Sequence, residues 1–117
     1  MKILGVIPSR MESKRLPGKP LLDINGKSMI QRVYESSINC KNLDDLIIAT
    51  PNDEIVSHVK EFNGNVLKTT DKPINGTERV YEAVEKINKK YDFIINIQGD
   101  EPFIKTEQIN DLIKICV

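Results

Sequence analysis

Short apolar runs alternate along the chain with longer segments in which apolar residues recur every three or four positions. Continuous apolar runs at 2–7, 46–50 and 93–98, and a shorter run at 65–69, are typical of strands in a parallel sheet. Helical spacing of apolar residues follows each run, at 28–39, at 53–62, from about Thr77 and from about Thr106. This alternation predicts a Rossmann-like, three-layer α/β/α fold with a mostly parallel sheet.

Residues at the ends of these segments support the same boundaries. The dipeptide Asn25-Gly26 suits a tight turn. Ser28, with Gln31 three positions later, is a capping-box signature for a helix that begins there. Gly64 lies where a C-terminal cap of the second helix is expected.

The helical apolar stripes also predict part of the core. Tyr34 and Tyr81 fall on such stripes and are expected to be buried, whereas His58 is expected to be structural or exposed. Cys40 and Cys116 lie far apart and have no CxxC partner, so two reduced thiols are expected rather than a disulfide.

The composition narrows the possible classes of function. Seventeen Lys and Arg residues balance 17 Asp and Glu residues, which argues against a protein that coats nucleic acid or an anionic membrane. A length of 117 residues, with 39% hydrophobic and 29% charged, suits one globular domain. No apolar run approaches the length of a membrane span, and Pro8 and Arg10 end the first run before it could form a signal-peptide core. We therefore expect a cytoplasmic protein that neither inserts into membranes nor binds nucleic acid.

A local excess of positive charge follows the first strand. The stretch IPSRMESKRLPGKPL contains Arg10, Lys14, Arg15 and Lys19, and prolines bracket the pair Gly18-Lys19. A solvated turn is one interpretation. The stiffened backbone and the glycine favour the other, a loop that binds a polyphosphate through Arg and Lys side chains.

The basic loop does not match the common phosphate-binding motifs. A Walker loop requires glycine five positions before Gly18 and Ser or Thr after Lys19, where this sequence has Ser13 and Pro20. The chain also lacks GxGxxG. Phosphate would therefore have to be held mainly by side chains.

Two further segments fall at the carboxyl edge of the predicted sheet, where open parallel sheets bind ligands. In NIQGDEPF, Asp100 could bind Mg²⁺ together with substrate phosphates, or could only form a turn before Pro102. In INGTERVYE, Arg79 falls in the first turn of a helix, where the dipole disfavours a cation. Arg79 is therefore either a surface residue paired with Glu78 or Glu82, or a residue with a ligand.

The motifs IPSRMESKRLPGKPL, NGTERV and NIQGDEPF, in this order and at these spacings, resemble the CMP-sugar-forming cytidylyltransferases. The resemblance covers essentially the whole chain and is strongest to the branch that activates the acid sugar 3-deoxy-manno-octulosonate (Kdo). It implies a fold of the nucleotide-diphospho-sugar transferase type, in which residues 1–117 form the CTP-binding part and the C-terminal half is lacking. Ser9 and Asn75 stand where the family more often has alanine and serine.

The resemblance also implies an activity. CTP and Kdo would give CMP-Kdo and pyrophosphate, with Mg²⁺ as cofactor, in lipopolysaccharide biosynthesis, and the full-length enzyme would be a homodimer. Arg10, Arg15 and Lys19 would neutralise the triphosphate and Asp100 would bind the metal, which makes these four the expected catalytic residues. The other nucleotide-binding positions that the resemblance implies are Pro8, Ser9, Asn75, Gly76, Arg79 and Gln98.

Other functions remain open at this stage. The closest alternative is activation of another acid sugar, such as a sialic acid, although NIQGDEP together with NGTER favours the Kdo branch. Hexose-1-phosphate nucleotidyltransferases fit less well, because their first loop carries a Gly-x-Gly-Thr-Arg pattern that this chain lacks. From a different class, the chain could be a non-catalytic nucleotide-binding fragment, but simple anion binding would not need Asp100.

Overall fold

Strands and helices alternate in the computed structural model, which describes residues 2–11, 18–72 and 76–98. In chain order the elements are β1 (Ile3–Pro8), a 3₁₀ turn (Lys19–Leu21), β2 (Asp23–Ile24), β3 (Lys27–Ser28), α1 (Met29–Ile38), β4 (Asp45–Thr50), α2 (Asp53–Glu61), β5 (Val66–Lys68), α3 (Gly76–Ile87) and β6 (Phe93–Asn96). Strands β2 and β3 form a small antiparallel hairpin, and the other four described strands form one parallel sheet.

Strand β1 lies inside the sheet, which has the order β5-β4-β1-β6. The register pairs Leu4 of β1 with Asp45 of β4 on one side and with Ile94 of β6 on the other. The chain thus builds the sheet from β1 through β4 to β5, and then returns to place β6 on the opposite side of β1. Neighbouring strands whose connections leave in opposite directions open a crevice at their carboxyl ends.

Helices cover both faces of this sheet. Ile7 of β1 packs in one core cluster with Ile30 of α1 and Ile55 of α2. The preceding residue of β1, Val6, belongs to a second core cluster with Val80 of α3. This division follows from the two-residue period of a strand, which sends successive side chains to opposite faces. No helix within the described part of the chain is long and apolar enough to cross a membrane.

The predicted α/β architecture is confirmed, with differences at the ends of elements. The third predicted strand is reduced to Val66–Lys68, and β6 ends at Asn96 rather than at position 98. Helix α3 begins at Gly76, one residue before the predicted start. The helix predicted from Thr106 lies outside the described residues, as does Cys116.

The prediction that Tyr81 lies in the core is wrong, since this residue is 68% exposed. Tyr34 is buried as predicted. The flanking residues Val80 and Ala83 face the sheet. Because successive helical residues are about 100° apart, Tyr81 is turned away from the strands, and no described element covers it.

The local signals around the hairpin act as predicted. Asn25 and Gly26 have φ angles of 53° and 93°, as a type I′ turn requires. Ser28 is the N-cap of α1, and its Oγ accepts a hydrogen bond from the Gln31 backbone N–H at 3.2 Å. Of the predicted capping box, the structure therefore contains the bond from the backbone to the serine.

The end of α2 uses a residue that the sequence analysis missed. Asn63, not Gly64, adopts the left-handed conformation, with φ 61°, and the Gly64 N–H donates to the Val59 carbonyl at 2.9 Å. Gly64 is needed for a different reason. A Cβ at this position would lie 2.7 Å from Val59 Cγ1 and 2.8 Å from Phe62 Cε1, so only glycine fits without movement of its neighbours.

Two isoleucines of α1 provide a matched test of this packing. Ile30 is 0% exposed and Ile38 is 49% exposed. We expect Ile30→Ala to lower the free energy of unfolding by about 2–5 kcal/mol, because it removes buried methyl groups and leaves a cavity. Ile38→Ala should cost less than about 1 kcal/mol. Urea denaturation followed by circular dichroism measures both values, and equal losses would contradict the assigned core face.

Candidate functional site

The carboxyl ends of β1 and β6 form the two walls of the crevice. Pro8 ends β1, and the buried residue Ser9 follows it. Beyond β6, the Ile97 N–H donates to the Val6 carbonyl at 2.9 Å, which keeps the chain against β1 and brings the exposed residue Gln98 to the same edge. Residues from the first and the last motif therefore meet at one edge of the sheet.

The basic loop closes on its own start. The Gly18 N–H donates to the Met11 carbonyl at 2.9 Å, and Gly18 has φ 78°, a conformation that glycine adopts without strain. The 3₁₀ turn that begins at Lys19 packs against α1 and α2. The exposed residue Arg10 precedes this closure and Lys19 follows it, so two of the predicted cationic residues flank the closure.

Asn52 links the basic loop to the connection between β4 and α2. Its Oδ1 accepts a hydrogen bond from the Met11 backbone N–H at 2.9 Å. Asn52 is the N-cap residue of α2, a position where an asparagine oxygen commonly bonds to its own helix. Here that oxygen holds the neighbouring loop instead. The sequence analysis assigned Asn52 no role, because an N-cap signature does not reveal a partner on another loop.

Helix α3 begins close to the end of β1. A Cβ on Gly76 would lie 3.2 Å from Pro8 Cγ, so glycine permits a closer approach than a side chain would. The N-terminus of a helix carries partial positive charge and unpaired N–H groups, which favour anions and polar ligand atoms. This end of α3 therefore adds a further electropositive element beside Pro8.

Arg79 does not lie on the surface, so the surface position that one of its two interpretations assumed is wrong. It is 3% exposed, and its Nε donates to Thr69 Oγ1 at 3.3 Å. The Thr69 N–H in turn donates to the Thr50 carbonyl at 2.8 Å. The guanidinium thus joins the first turns of α3 to the carboxyl ends of β4 and β5, and its fixed donors suit an anion or a carbonyl oxygen.

His58 has the structural role that was predicted as one of its two possibilities. Its Nε2 lies 2.5 Å from Ser28 Oγ, which connects α2 to the start of α1. The ring also packs edge-on against Phe62, with centroids 5.4 Å apart. Across residues 2–11, 18–72 and 76–98, no group of three or more His, Cys, Asp and Glu side chains could hold a metal ion.

An open cavity of about 460 Å³ lies at the amino edge of the sheet, opposite the crevice. Asp45 and Tyr91 line this cavity, and the Tyr91 hydroxyl donates to Asp45 Oδ2 at 2.6 Å. Burial, together with the Asp45 carboxylate, raises the pKa of Tyr91 to about 12. The cavity also lies at the C-terminal ends of α2 and α3, which carry partial negative charge. The lining of this cavity contains none of the residues predicted to form the site.

The residues predicted to form the site fall into two groups. Those that the structure places at the carboxyl edge of the sheet or on the elements beside it are Pro8, Ser9, Arg10, Lys19, Gly76, Arg79 and Gln98. Arg15, Asn75 and Asp100 lie outside the described residues. Their proposed contacts stay predictions.

A Rossmann-like parallel sheet with a crevice between the carboxyl ends of β1 and β6 defines an open α/β protein, a class that binds ligands at this edge of the sheet. Residues 4–115 match the cytidylyltransferase family, and the chain belongs to that family.

A bacterial relative and a plant relative of this chain are both described as 3-deoxy-manno-octulosonate cytidylyltransferases. The 3-deoxy-manno-octulosonate cytidylyltransferase of Parabacteroides distasonis is 53% identical over 116 residues, which are 99% of this chain and 45% of that protein. The mitochondrial 3-deoxy-manno-octulosonate cytidylyltransferase of Arabidopsis thaliana is 45% identical over 113 residues, which are 97% of this chain and 39% of that protein. The chain thus spans less than half the length of these two curated relatives.

Solved structures show the same fold. The structure of a CMP:2-keto-3-deoxy-manno-octonic acid synthetase complexed with CTP superposes with a TM-score of 0.93 at 39% identity, over 97% of this chain and 46% of that chain. A cytidylyltransferase from Leptospira borgpetersenii superposes with a TM-score of 0.82 at 23% identity, over 98% of this chain and 48% of that chain, which is evidence of the fold alone.

The bond between Asn52 and the Met11 N–H can be tested directly. We expect Asn52→Ala to speed amide exchange at Met11 about tenfold, because the amide loses its acceptor, and to lower the free energy of unfolding by about 1 kcal/mol. Asn52→Asp keeps an oxygen at the same place and should retain most of the protection. Hydrogen exchange measured by NMR makes the comparison. Unchanged protection in Asn52→Ala would show that this bond does not hold the loop.

Proposed function

We propose that the chain binds CTP and forms the nucleotide-binding part of an enzyme that transfers CMP from CTP to Kdo and releases pyrophosphate, in lipopolysaccharide biosynthesis. The observation that carries this proposal is the basic loop, closed by the Gly18–Met11 hydrogen bond at the mouth of the crevice, in a chain of the cytidylyltransferase family. The likeness to a synthetase structure complexed with CTP supports the choice of nucleotide.

The proposed roles follow the resemblance to the family, and the described residues among them lie at the carboxyl edge of the sheet or on the elements beside it. Arg10, Arg15 and Lys19 neutralise the triphosphate, since cationic donors on a loop with closed ends need little reorganisation to meet it. Pro8 and Ser9 lie along the nucleotide at the end of β1. Asn75, Gly76 and Arg79 border cytosine or ribose, and Gln98 lies near the sugar or the ribose.

The cofactor in this proposal is Mg²⁺, with Asp100 as its protein ligand. A single carboxylate is a sufficient protein contribution, because Mg²⁺ in nucleotide enzymes is often held by one or two carboxylates, substrate phosphates and water. Asp100 follows Gln98 by two positions, and Gln98 lies at the carboxyl edge. When bound, the ion would supply further charge neutralisation at the phosphates.

The chemistry is a displacement at phosphorus. The anomeric hydroxyl oxygen of Kdo forms a bond to the α-phosphorus of CTP, the bond from that phosphorus to the bridging oxygen breaks, and pyrophosphate leaves. The hydroxyl proton is released to solvent. Such reactions depend on alignment of the two substrates and on stabilisation of the charge on the phosphate oxygens, which are tasks for a clamp of Arg and Lys residues.

The partners in this proposal are CTP and Kdo, with a homodimer for the full-length enzyme and the cytoplasm as its compartment. The relatives described as Kdo cytidylyltransferases support Kdo over other acid sugars. Pyrophosphate release with CTP and Kdo, and no release when a sialic acid replaces Kdo, is the expected outcome for the active enzyme. Release with the sialic acid alone would identify the alternative substrate.

Lys19 provides the sharpest test of the clamp. We expect Lys19→Ala to weaken CTP binding roughly 10- to 100-fold in isothermal titration, because it removes a charge-assisted contact to phosphate. Lys41→Ala is the matched control, since Lys41 is an exposed lysine in the turn after α1 and before β4, at the amino edge of the sheet. It should leave the affinity unchanged.

Repeating the CTP titration with and without Mg²⁺ measures how much the metal ion contributes to CTP affinity. Asp100→Ala should remove the dependence of CTP affinity on Mg²⁺ while leaving metal-free binding nearly unchanged. A folded wild-type chain that shows no affinity for CTP would contradict the proposed function.

A further inference from the structure

The backbone on both sides of Arg10 is hydrogen-bonded to one neighbouring segment, which runs from the end of β4 to the start of α2. The Ser9 N–H donates to the Ala49 carbonyl at 2.9 Å, and the Met11 N–H donates to Asn52 Oδ1 at 2.9 Å. Arg10 itself is exposed. Its side chain therefore leaves from a backbone that is fixed directly before and directly after it.

Met11 also connects Asn52 to the start of the 3₁₀ turn. The Met11 carbonyl accepts a hydrogen bond from the Gly18 N–H at 2.9 Å. The Gly18 carbonyl in turn accepts from the Leu21 N–H at 3.0 Å, which closes the turn that begins at Lys19. Asn52 thus holds Met11, and Met11 holds the residue directly before Lys19.

The backbone of Asn52 is itself fixed at the end of β4. Its N–H donates to Thr50 Oγ1 at 3.2 Å, and its carbonyl accepts from the Val56 N–H at 3.1 Å. Asparagine at the N-cap ordinarily bonds through its side chain to its own helix, but Asn52 makes no such bond to α2. Its side-chain oxygen is therefore oriented toward Met11 rather than toward the helix that it begins.

We propose that Asn52 is a positioning residue for the triphosphate side of the CTP site. It acts on Arg10 through the Met11 N–H, and on Lys19 through the Met11 carbonyl and Gly18. This inference rests on the proposed function and assigns no contact between Asn52 and the nucleotide. Cationic groups on a backbone fixed before the ligand arrives bind it more tightly, because less conformational entropy is lost on binding.

The nucleoside side of the proposed site is held by different contacts. Arg79 Nε donates to Thr69 Oγ1, and Gly76 lies against Pro8. Neither contact involves the side chain of Asn52. Loss of that side chain should therefore affect the binding of phosphate groups and leave the binding of the nucleoside intact.

The test compares three ligands that use different parts of the proposed site. Inorganic tripolyphosphate uses the triphosphate side, cytidine uses the nucleoside side, and CTP uses both. We expect Asn52→Ala to weaken the binding of CTP and of tripolyphosphate about tenfold and to leave cytidine binding unchanged, because the Met11 amide loses its acceptor. Titration calorimetry measures CTP directly, and competition against CTP measures the other two ligands.

Asn52→Ser separates positioning from capping of α2. Serine is a preferred N-cap residue, but its side chain is shorter than that of asparagine and ends farther from Met11. This variant can cap α2 while the bond to Met11 is lost, so it should show the same selective loss as Asn52→Ala. It decides the question if Asn52→Ala does not fold. Wild-type affinity for tripolyphosphate in Asn52→Ser would overturn the positioning role.

Asn65 provides a matched control at the amino edge of the sheet, directly before β5. Its Nδ2 donates to the Leu46 carbonyl at 3.3 Å. Asn65→Ala therefore also removes one bond between an asparagine side chain and the backbone. We expect this variant to bind CTP, tripolyphosphate and cytidine with wild-type affinity.

The outcomes distinguish the two proposals. A folded wild-type chain that binds neither CTP nor tripolyphosphate contradicts the proposed function, and the positioning role with it. A wild-type chain that binds both, together with folded Asn52 variants that keep the wild-type affinity for tripolyphosphate, overturns the positioning role alone. Equal weakening of all three ligands also overturns it, because a general structural defect would not distinguish phosphate from nucleoside.

Discussion

The pairing of β1 with strands on both of its sides is the constraint on which the rest of the structure depends. Val6 and Ile7 are fully buried on opposite faces of the sheet, so neither face of β1 can turn toward solvent. The ladder to β6 continues beyond the strand through Ile97. Because the chain leaves β1 toward β4 on one side and later returns from β5 to place β6 on the other side, the crevice opens where β1 ends, after Pro8.

Hydrogen bonds of loop residues act together with apolar contacts, such as those of Met11 and Leu21 with the core, to hold the elements around this crevice. The Ser9 N–H bonds to the Ala49 carbonyl at 2.9 Å, and the Met11 N–H bonds to Asn52. Thr69 and Thr70 are held by residues of α3. Polar loops near solvent bury little apolar area, so directional hydrogen bonds contribute much of what fixes their positions.

Arg79 and Tyr81 show how far helical periodicity can be used. The pattern located α3 and its apolar stripe correctly, but it placed the tyrosine inside and left a surface position open for the arginine. Burial depends on what lies opposite each residue. Arg79 is 3% exposed and bonds to Thr69 beyond the end of β5, whereas no described element covers Tyr81. A period of 3.6 residues defines the faces of a helix but not the extent of its neighbours.

The sequence by itself determined the features that depend on residues close together in the chain. These are the apolar strands, the Asn25-Gly26 turn, the cap at Ser28 and the basic stretch after β1. Short-range sterics and hydrogen bonding decide such features. Only the tertiary structure decided the strand order, the burial of Arg79 and the attachments of the loops. Each of these joins residues distant in sequence, and its partner is selected by the packing of the sheet, which no local pattern contains.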